Sequence, residues 1–240
     1  MRIKNLIPNI ITSMNLLCGV VGVILSLDGH LEGGFCLMLA AAVCDFFDGF
    51  AARLLNATSP VGKELDSLSD VVSFGVLPAI MLYMVSGDGV RFMKFFPLLL
   101  AAFSAYRLAK FNLDERQHDS FIGLPTPASA MICGSLACYV QSVPHSFLAG
   151  WTSSPFFIPL LTIVFCFLLV CEIPMFSMKF GGGKKSSRAD NVKRIIFIAL
   201  VAASLVLIIV TRSHWSMAVL LSFTAYVLVN LLLSRLKDDS

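Results

Sequence analysis

Charged residues are scarce in this sequence. Asp, Glu, Lys and Arg make up 14% of the 240 residues, whereas an ordinary globular domain carries about 25%. Apolar residues make up 57% of the chain and the mean hydropathy is +0.84, more than one soluble core of this size could bury. This balance excludes a soluble enzyme and a disordered chain, and a net charge of only +3 gives no reason to expect a nucleic-acid partner. The composition is that of an integral membrane protein.

Paired cysteines and a nucleophilic triad are also absent. The seven cysteines form no CxxC pair and lie almost entirely within apolar runs, which is typical of buried small hydrophobic side chains rather than of disulfides or a zinc site. The four histidines are scattered, and no Ser-His-Asp or Cys-His grouping is visible. A covalent enzyme intermediate is therefore not favoured.

Long apolar segments are what the sequence has instead. A membrane helix needs about 20 mostly apolar residues, and eight segments come close to that length. Turn-forming residues such as Asp28-Gly29 and Gly181-Gly182-Gly183 lie between them. We therefore predict an all-α integral membrane protein with about eight transmembrane helices, at residues 8–27, 31–54, 67–86, 93–111, 124–142, 155–176, 194–211 and 215–234.

Lysine and arginine are distributed unevenly around these segments. If the N-terminus is cytoplasmic, 15 of the 18 basic residues fall on the cytoplasmic side, and only Arg91, Lys94 and Arg212 fall on the other. Because positive residues favour cytoplasmic loops, we expect both termini on the cytoplasmic side of the inner cell membrane. The basic loop 179–193 on that side is expected to be attracted to anionic lipid.

Four aspartates interrupt the second and third segments. Asp45 and Asp48 are three residues apart, and Asp66 and Asp70 are four apart, so each pair lies on one face of a helix. A charge in or near the hydrocarbon costs several kcal/mol unless it is paired or faces a polar cavity. Because the connection between the two helices is short, they should be antiparallel neighbours, and the four carboxylates can then converge on one site.

A divalent cation would relieve the repulsion among these carboxylates. All-oxygen ligands suit Mg²⁺ or Mn²⁺, and Mg²⁺ held by few protein ligands completes its shell with substrate phosphates. Two ions about 3.5–4 Å apart would fit a displacement at phosphorus. Gly49, Ala52 and Gly62 leave room beside the carboxylates and Arg53 can reach a phosphate, although small residues also simply pack membrane helices.

Eight of these residues stand at fixed spacing across 26 positions, as Asp45-x2-Asp48-Gly49-x2-Ala52-Arg53-x8-Gly62-x3-Asp66-x3-Asp70. This string resembles the signature of the CDP-alcohol phosphatidyltransferase family. The resemblance implies a six-helix core, divalent metal ions, and transfer of a phosphatidyl group from CDP-diacylglycerol to an alcohol with release of CMP. It implies that Asp45, Asp48 and Asp66 hold metal, and that Asp70 is a metal ligand or the general base.

The start of the first segment carries a second resemblance. Pro8-Asn9-x2-Thr12 looks like the family's first-helix element, although a proline is also an ordinary first residue of a helix. With this element included, the residues that the resemblance implies for CDP-diacylglycerol binding are Asn9, Thr12, Gly49, Ala52, Arg53 and Gly62.

Two further stretches resemble the members of this family that use serine as the acceptor. They are Tyr106-Arg107-Leu108-Ala109-Lys110-Phe111-Asn112 and Phe121-Ile122-Gly123-Leu124-Pro125-Thr126-Pro127-Ala128. Arg107 and Lys110 lie one turn apart and could receive the carboxylate of L-serine, or they could be interfacial anchors only. By the resemblance, the serine-binding residues are Arg107, Lys110, Gly123, Pro125 and Thr126.

The chain divides into three parts on this reasoning. Residues 1–178 form the catalytic transmembrane core, 179–193 the basic cytoplasmic loop, and 194–240 two C-terminal helices with a short tail. The two C-terminal helices carry no polar constellation, so we expect them either to cover the core or to make a homodimer contact.

Other functions remain open at this point. Within the family, the acceptor could be glycerol 3-phosphate or an inositol phosphate, either of which would call for more basic residues around the pocket. A membrane prenyltransferase also uses Asp-rich helices and metal, but with aspartate motifs in two separated helices. A divalent-cation transporter would place carboxylates near the middle of the membrane on several helices.

Overall fold

The computed structural model describes residues 3–57, 59–87, 89, 91–113, 121–175 and 188–235. Helices account for most of this part of the chain, as predicted. They are α1 (Ile3–Leu27), α2 (Leu31–Leu54), α3 (Pro60–Asp70), a π-helix (Val71–Val76), α4 (Leu77–Val85), a 3-10 helix (Met93–Leu98), α5 (Leu99–Leu113), α6 (Thr126–Ser142), α7 (Phe147–Thr152), α8 (Phe157–Val170), α9 (Arg188–Thr211) and α10 (Ser216–Arg235). Two short strands are β1 (Phe121–Ile122) and β2 (Pro174–Met175).

The helices α1 and α2 form an antiparallel hairpin, and small residues on α1 allow the π-helix and α4 to approach it closely. The buried face of α1 follows helical spacing and is small and polar, with Thr12, Asn15, Gly19, Gly22 and Ser26. A Cβ on Gly19 would collide with Ser73, and one on Gly22 would collide with Leu77. The apolar side chains of α1 lie on the opposite, exposed face. This arrangement suits a helix whose outside meets lipid and whose inside meets a polar site.

The third helix begins earlier than the sequence predicts. The apolar pattern indicates a segment over 67–86, but the helical stretch runs from Pro60 to Val85 through the π-helix. Ser59 caps its start by accepting a 3.0 Å hydrogen bond from the backbone N–H of Gly62, and Pro60 occupies the first helical position. Hydropathy did not indicate this start because the first turns of α3 are polar. The π-helix directly follows Asp70.

The most buried helix is α6. Its residues from Ala128 to Tyr139 are all buried, and they pack against α2, α4 and α10. Phe35, Met38 and Leu82 belong to the same apolar core. This central position places the start of α6, at Thr126, inside the molecule.

A pair of strands was not predicted. β1 pairs antiparallel with β2, with Phe121 opposite Met175 and Ile122 opposite Pro174. The predicted sixth segment, 155–176, is therefore too long, because α8 ends at Val170 and the chain continues into β2. Two-residue strands carry no usable periodicity, so the pattern of apolar residues could not indicate them.

Within the described residues, three helical stretches are long and apolar enough to cross a membrane by themselves: Leu6–Leu27, Leu31–Leu54 and Pro60–Val85. Shorter apolar helices occupy Phe157–Val170 and residues within α9 and α10. The membrane class is confirmed, whereas the number of eight spans remains a prediction.

The C-terminal helices differ in how they pack. α10 lies against α6 and α9, so it covers the core, which was one of the two expected roles. α9 begins at Arg188 rather than at 194, because its first turns are polar. The rest of the predicted basic loop, 179–187, lies outside the described residues, as does the tail 236–240. The division into three parts remains a prediction.

Gly123 is a position where no other residue fits. Its φ is +77°, and a Cβ there would lie 2.8 Å from the carbonyl oxygens of both Leu169 and Cys171. We expect Gly123→Ala to destabilise the protein, with about 1–3 kcal/mol from the backbone conformation alone. Thermal unfolding in detergent measures the effect. Gly150→Ala is the matched control, since its Cβ would meet open space, and equal unfolding temperatures for the two variants would contradict the expectation.

Candidate functional site

Two neighbouring helices bring the four aspartates together into one acidic cluster. One carboxylate oxygen from each of Asp45, Asp48 and Asp66 lies within 4.8 Å of the others. Asp70 follows one turn after Asp66 and is 8% exposed, close enough to all three to interact with their charges. The hairpin geometry expected from the sequence therefore holds, with Asp45 and Asp48 on α2 facing Asp66 and Asp70 on α3.

The first helix supports this cluster with hydrogen-bond donors. Thr12 Oγ1 donates to Asp48 Oδ2 at 2.6 Å, and Asn15 Nδ2 donates to Asp70 Oδ1 at 3.3 Å. Ser73, on the π-helix, donates to the backbone carbonyl of Asn15 at 3.0 Å. Donors of this kind fix the orientation of carboxylates that would otherwise repel each other.

Asn15 is a site residue that the sequence analysis missed. Its side chain is fully buried and lies on the same face of α1 as Thr12, three residues earlier. A buried amide in an apolar membrane segment is costly without a partner. That cost and the three-residue spacing from Thr12 could have indicated from the sequence that Asn15 belongs to the site.

Three buried side-chain atoms in the described residues have no hydrogen-bond partner: Asn15 Oδ1, Asp66 Oδ1 and Arg107 Nε. All three residues belong to the acidic cluster or lie beside Asp70. Buried polar groups are normally paired, so unpaired ones gathered in one region indicate that something else completes the site. The carboxylate and amide oxygen atoms of the cluster are the kind of ligand that a hard divalent cation such as Mg²⁺ or Mn²⁺ prefers.

A cavity of about 560 Å³ opens beside the cluster. Its walls include all six residues that the resemblance implied for CDP-diacylglycerol binding, together with two of the aspartates and, beside Arg53, a second basic residue. Its lining includes Asn9, Thr12, Asp48, Gly49, Ala52, Arg53, Gly62, Lys63 and Asp66. The structure thus brings these residues together, and the cavity is large enough for a sizeable polar group to reach the carboxylates.

Two glycines keep this cavity open. Open space surrounds the position of a Cβ on Gly49, and a Cβ on Gly62 would lie 3.1 Å from Asn9 Oδ1. Larger residues would therefore narrow the cavity directly beside Asp48 and Asp66. The exposed side chain of Arg53 lies at its edge, where a guanidinium can reach a phosphate.

The side chains of Arg107 and Lys110, the two basic residues predicted for the acceptor site, lie in different surroundings. Arg107 is 7% exposed, and its Nη1 donates to Thr126 Oγ1 at 2.9 Å. Lys110 is partly exposed and forms a 3.2 Å salt bridge with Glu172. Arg107 is therefore not an interfacial anchor, because its guanidinium lies inside the protein and close enough to Asp70 to interact with it. Arg107 and Lys110 still line one small pocket together with residues 169–171.

The other predicted acceptor residues lie at the start of α6. Gly123 adopts a positive φ beside β1, and Pro125 immediately precedes the helix. Thr126 is its first residue and is fully buried against Arg107. Of these residues, Thr126 contacts Arg107 directly.

The fold and the site are those of a membrane protein in which carboxylates from apolar helices gather beside a cavity lined by basic residues. The chain belongs to the CDP-alcohol phosphatidyltransferase family, whose sequence model matches residues 5–171. This confirms the resemblance seen in the sequence. The match covers α1 to α8 and ends before α9.

Several relatives carry more specific names. A CDP-diacylglycerol–serine O-phosphatidyltransferase of Bacillus subtilis is 32% identical over 79% of this chain and 97% of its own length. The enzyme of the same name from Mycobacterium leprae is 35% identical over 72% of this chain, and the match covers 59% of that relative's own length. An archaetidylserine synthase of Methanothermobacter thermautotrophicus is 36% identical over 54% of this chain and 56% of its own length.

The acidic cluster predicts a measurable affinity for Mn²⁺. We expect Asp48→Asn to weaken Mn²⁺ binding by more than about 10-fold, since loss of even an outer-shell partner of a metal site costs about 10- to 100-fold. Electron paramagnetic resonance of free and bound Mn²⁺ measures this with the purified protein. Glu64→Gln, which removes an exposed carboxylate from α3, is the control and should bind as the unmodified chain does. Equal loss in both variants would show that the carboxylates attract Mn²⁺ only through general charge.

Proposed function

We propose that this protein transfers the phosphatidyl group from CDP-diacylglycerol to the hydroxyl of L-serine, giving phosphatidylserine and CMP. The observation that carries the proposal is a buried arginine, Arg107, on α5, the helix that packs against α3 and against the π-helix directly after Asp70. An anion-binding side chain thus lies close to a candidate base. The names of the relatives from Bacillus subtilis and Mycobacterium leprae support the same acceptor.

CDP-diacylglycerol is assigned to the cavity beside the cluster, with its acyl chains in the bilayer. Arg53 and Lys63 at the edge of the cavity attract the phosphates, and Gly49, Ala52 and Gly62 leave room for the nucleotide. Asp45, Asp48 and Asp66 would hold the divalent ions, two in our proposal, with Asp70 as a further candidate ligand. When bound, such ions neutralise the diphosphate and stabilise the charge that develops on the leaving CMP.

Asp70 is proposed as the general base. A serine hydroxyl is a weak nucleophile and needs a base within hydrogen-bond reach. Asn15 donates its amide N–H to Asp70 Oδ1, and the other carboxylate oxygen is proposed to take the proton. The serine oxygen then attacks the phosphorus that bears the diacylglycerol, the bond from that phosphorus to CMP breaks, and the products are phosphatidylserine and CMP. This is a direct displacement without a covalent enzyme intermediate.

The acceptor site is proposed around Arg107. Among the described residues, Arg107 is the one buried basic side chain, and one of its donors is already held by Thr126. A single guanidinium matches the single carboxylate of serine, whereas a phosphorylated acceptor carries more charge. Lys110, Gly123 and Pro125 complete the proposed site, with Lys110 at its outer edge beside Glu172. Family membership argues against the prenyltransferase and transporter alternatives.

The site is further proposed to face the cytoplasm, with the protein in the inner cell membrane and both termini cytoplasmic. The support is the excess of Lys and Arg in the connections on that side. A homodimer is also proposed. The exposed apolar side chains Leu205, Val206, Ile209 and Val210 of α9 provide a surface for it.

The direct test of this function is release of CMP from CDP-diacylglycerol by the purified protein in detergent micelles. We expect release only when L-serine and Mg²⁺ or Mn²⁺ are both present, and loss of release when a chelator is added, because hard divalent ions fit the cluster. Glycerol 3-phosphate and inositol phosphates serve as rival acceptors in parallel reactions. Faster release with either rival than with serine would overturn the assignment of the acceptor.

A second prediction concerns the proposed base. Asp70→Asn should lower kcat by about 100-fold or more, the usual contribution of a general base, while CDP-diacylglycerol still binds in equilibrium dialysis. Asp28→Asn replaces an exposed carboxylate in the turn between α1 and α2 and should leave kcat unchanged. Turnover of Asp70→Asn at the level of the unmodified protein would remove Asp70 from the role of base.

A further inference from the structure

A second cavity lies at the end of the molecule opposite the acidic cluster. Its volume is about 490 Å³, within the range of about 300–1,000 Å³ that is usual for small-molecule sites. It lies where α6 ends and where α9 turns into α10. Trp215 in this turn donates a 3.0 Å hydrogen bond to Glu32 at the start of α2, and Asp48 of the acidic cluster follows roughly 24 Å further along that helix. The cavity is therefore separate from the proposed active site.

The walls of this cavity, which we call the α9–α10 cleft, have an apolar part and a polar part. The apolar part includes Leu207, Ile208, Met217 and Leu221, and the polar part includes Arg212 and Ser213. Leu207 and Arg212 are exposed, so the cleft opens to the surroundings of the protein. Because α9 and α10 are apolar helices of a membrane protein, those surroundings are lipid chains and their headgroups. A cleft of this kind suits an acyl chain attached to a polar headgroup.

Arg212 is an unexpected residue at this place. It is one of only three basic residues that the sequence places on this side, against 15 on the other. Its φ of +49° lies in the left-handed region, where glycine is the usual residue just after a helix. Neither the topology nor the turn therefore explains an arginine here. Its guanidinium has no hydrogen-bond or salt-bridge partner within the part of the chain that the structure describes.

The neighbouring polar side chains are already engaged. The ring nitrogens of His214 lie 2.8 Å from Ser216 Oγ and 3.5 Å from Glu32 Oε1. The Thr211 hydroxyl donates to a backbone carbonyl of α9 at 2.8 Å. Glu32, the acidic side chain that contacts this turn, is thus held by the turn itself. The Arg212 guanidinium therefore brings positive charge to the cleft that is not committed to a described side chain.

We propose that the α9–α10 cleft binds a membrane phospholipid, with the phosphate held by Arg212 and Ser213 and an acyl chain lying between α9 and α10. A guanidinium pairs well with a phosphate, and a serine hydroxyl adds one further donor. Free phosphate would leave the apolar walls uncovered, and a diacylglycerol would leave the guanidinium unpaired. In the orientation proposed above, this lipid belongs to the outer leaflet.

This site does not depend on the proposed enzymatic function. The cleft shares no lining residue with the cavity beside the acidic cluster. It also lies beyond the region that the family model matches, which ends at residue 171, except for its contact at Val143. Loss of either assignment would leave the other standing.

The fluorescence of Trp215 tests the proposal at the site itself, because Trp215 directly follows His214 in the lining of the cleft. The chain has two tryptophans, so Trp151→Phe leaves Trp215 as the sole one. Phosphatidylglycerol with brominated acyl chains, added to this delipidated variant in detergent micelles, should quench the emission to saturation. Diacylglycerol with the same brominated chains should bind about 10-fold more weakly, since it lacks the charged hydrogen bond. Glycerol 3-phosphate should not compete, because it has no acyl chains.

Substitution of Arg212 in the same background separates phosphate recognition from general lipid contact. Arg212→Gln should weaken the binding of phosphatidylglycerol about 10-fold and leave that of diacylglycerol unchanged. Arg212→Gly also removes the guanidinium and suits the φ of +49°, so it should give the same loss with an intact turn. Arg91→Gln is the matched control, because Arg91 is exposed and does not line the cleft. It should bind phosphatidylglycerol as the parent does.

Three results would overturn the proposal. Equal affinities for phosphatidylglycerol and diacylglycerol would show that only the apolar walls bind lipid. Equal weakening in Arg212→Gln and Arg91→Gln would show that the protein attracts the headgroup only through its general charge. A changed oligomeric state of Arg212→Gln in size-exclusion chromatography, with unchanged lipid affinity, would make the cleft a contact between two copies of the chain.

Discussion

Mutual repulsion among buried carboxylates is the constraint on which this structure depends. Like charges repel more strongly as the effective dielectric falls, and Asp45, Asp48, Asp66 and Asp70 lie close together between apolar helices. Such a cluster is stable only where its surroundings supply donors and counter-charge. The polar inner face of α1 supplies hydrogen-bond donors to the carboxylates. The cavity beside α2 and α3 leaves room for a cation, and Arg107 brings a positive charge near Asp70.

The charges are also ordered in space. Asp48 and Asp66 line the open cavity together with Arg53 and Lys63, whereas Asp70 lies near the buried guanidinium of Arg107 on α5. The other carboxylates of the cluster and the buried guanidinium thus both lie near Asp70. Two substrates of different charge distribution can meet there without competing for the same side chains. In our proposal, the diphosphate of one and the carboxylate of the other take these separate places.

The acidic cluster was the part of the site that could be predicted from the sequence, because it depends on spacing within single helices. The i,i+3 and i,i+4 separations of the aspartates and the short connection between their helices correctly placed the cluster, because helical geometry alone determines them. Asn15 escaped notice because it is one polar residue in an apolar segment, and its partner Asp70 lies 55 residues away in the chain. The strands β1 and β2 and the early start of α3 were missed because hydropathy does not register two-residue strands or polar first turns.

The π-helix directly after Asp70 has a consequence for how chains of this kind can vary. Each residue added to or removed from a helix rotates the remainder of that helix by about 100°, and a π-helix carries a wider turn than an α-helix. With the wide turn at Val71–Val76, Ser73 faces Asn15 and Gly75 faces Ser104 on α5. Shortening this turn by one residue would turn α4 away from α6 while Asp70 stayed in place. The number of residues from Asp70 to the part of α4 that packs in the central core is therefore expected to be fixed.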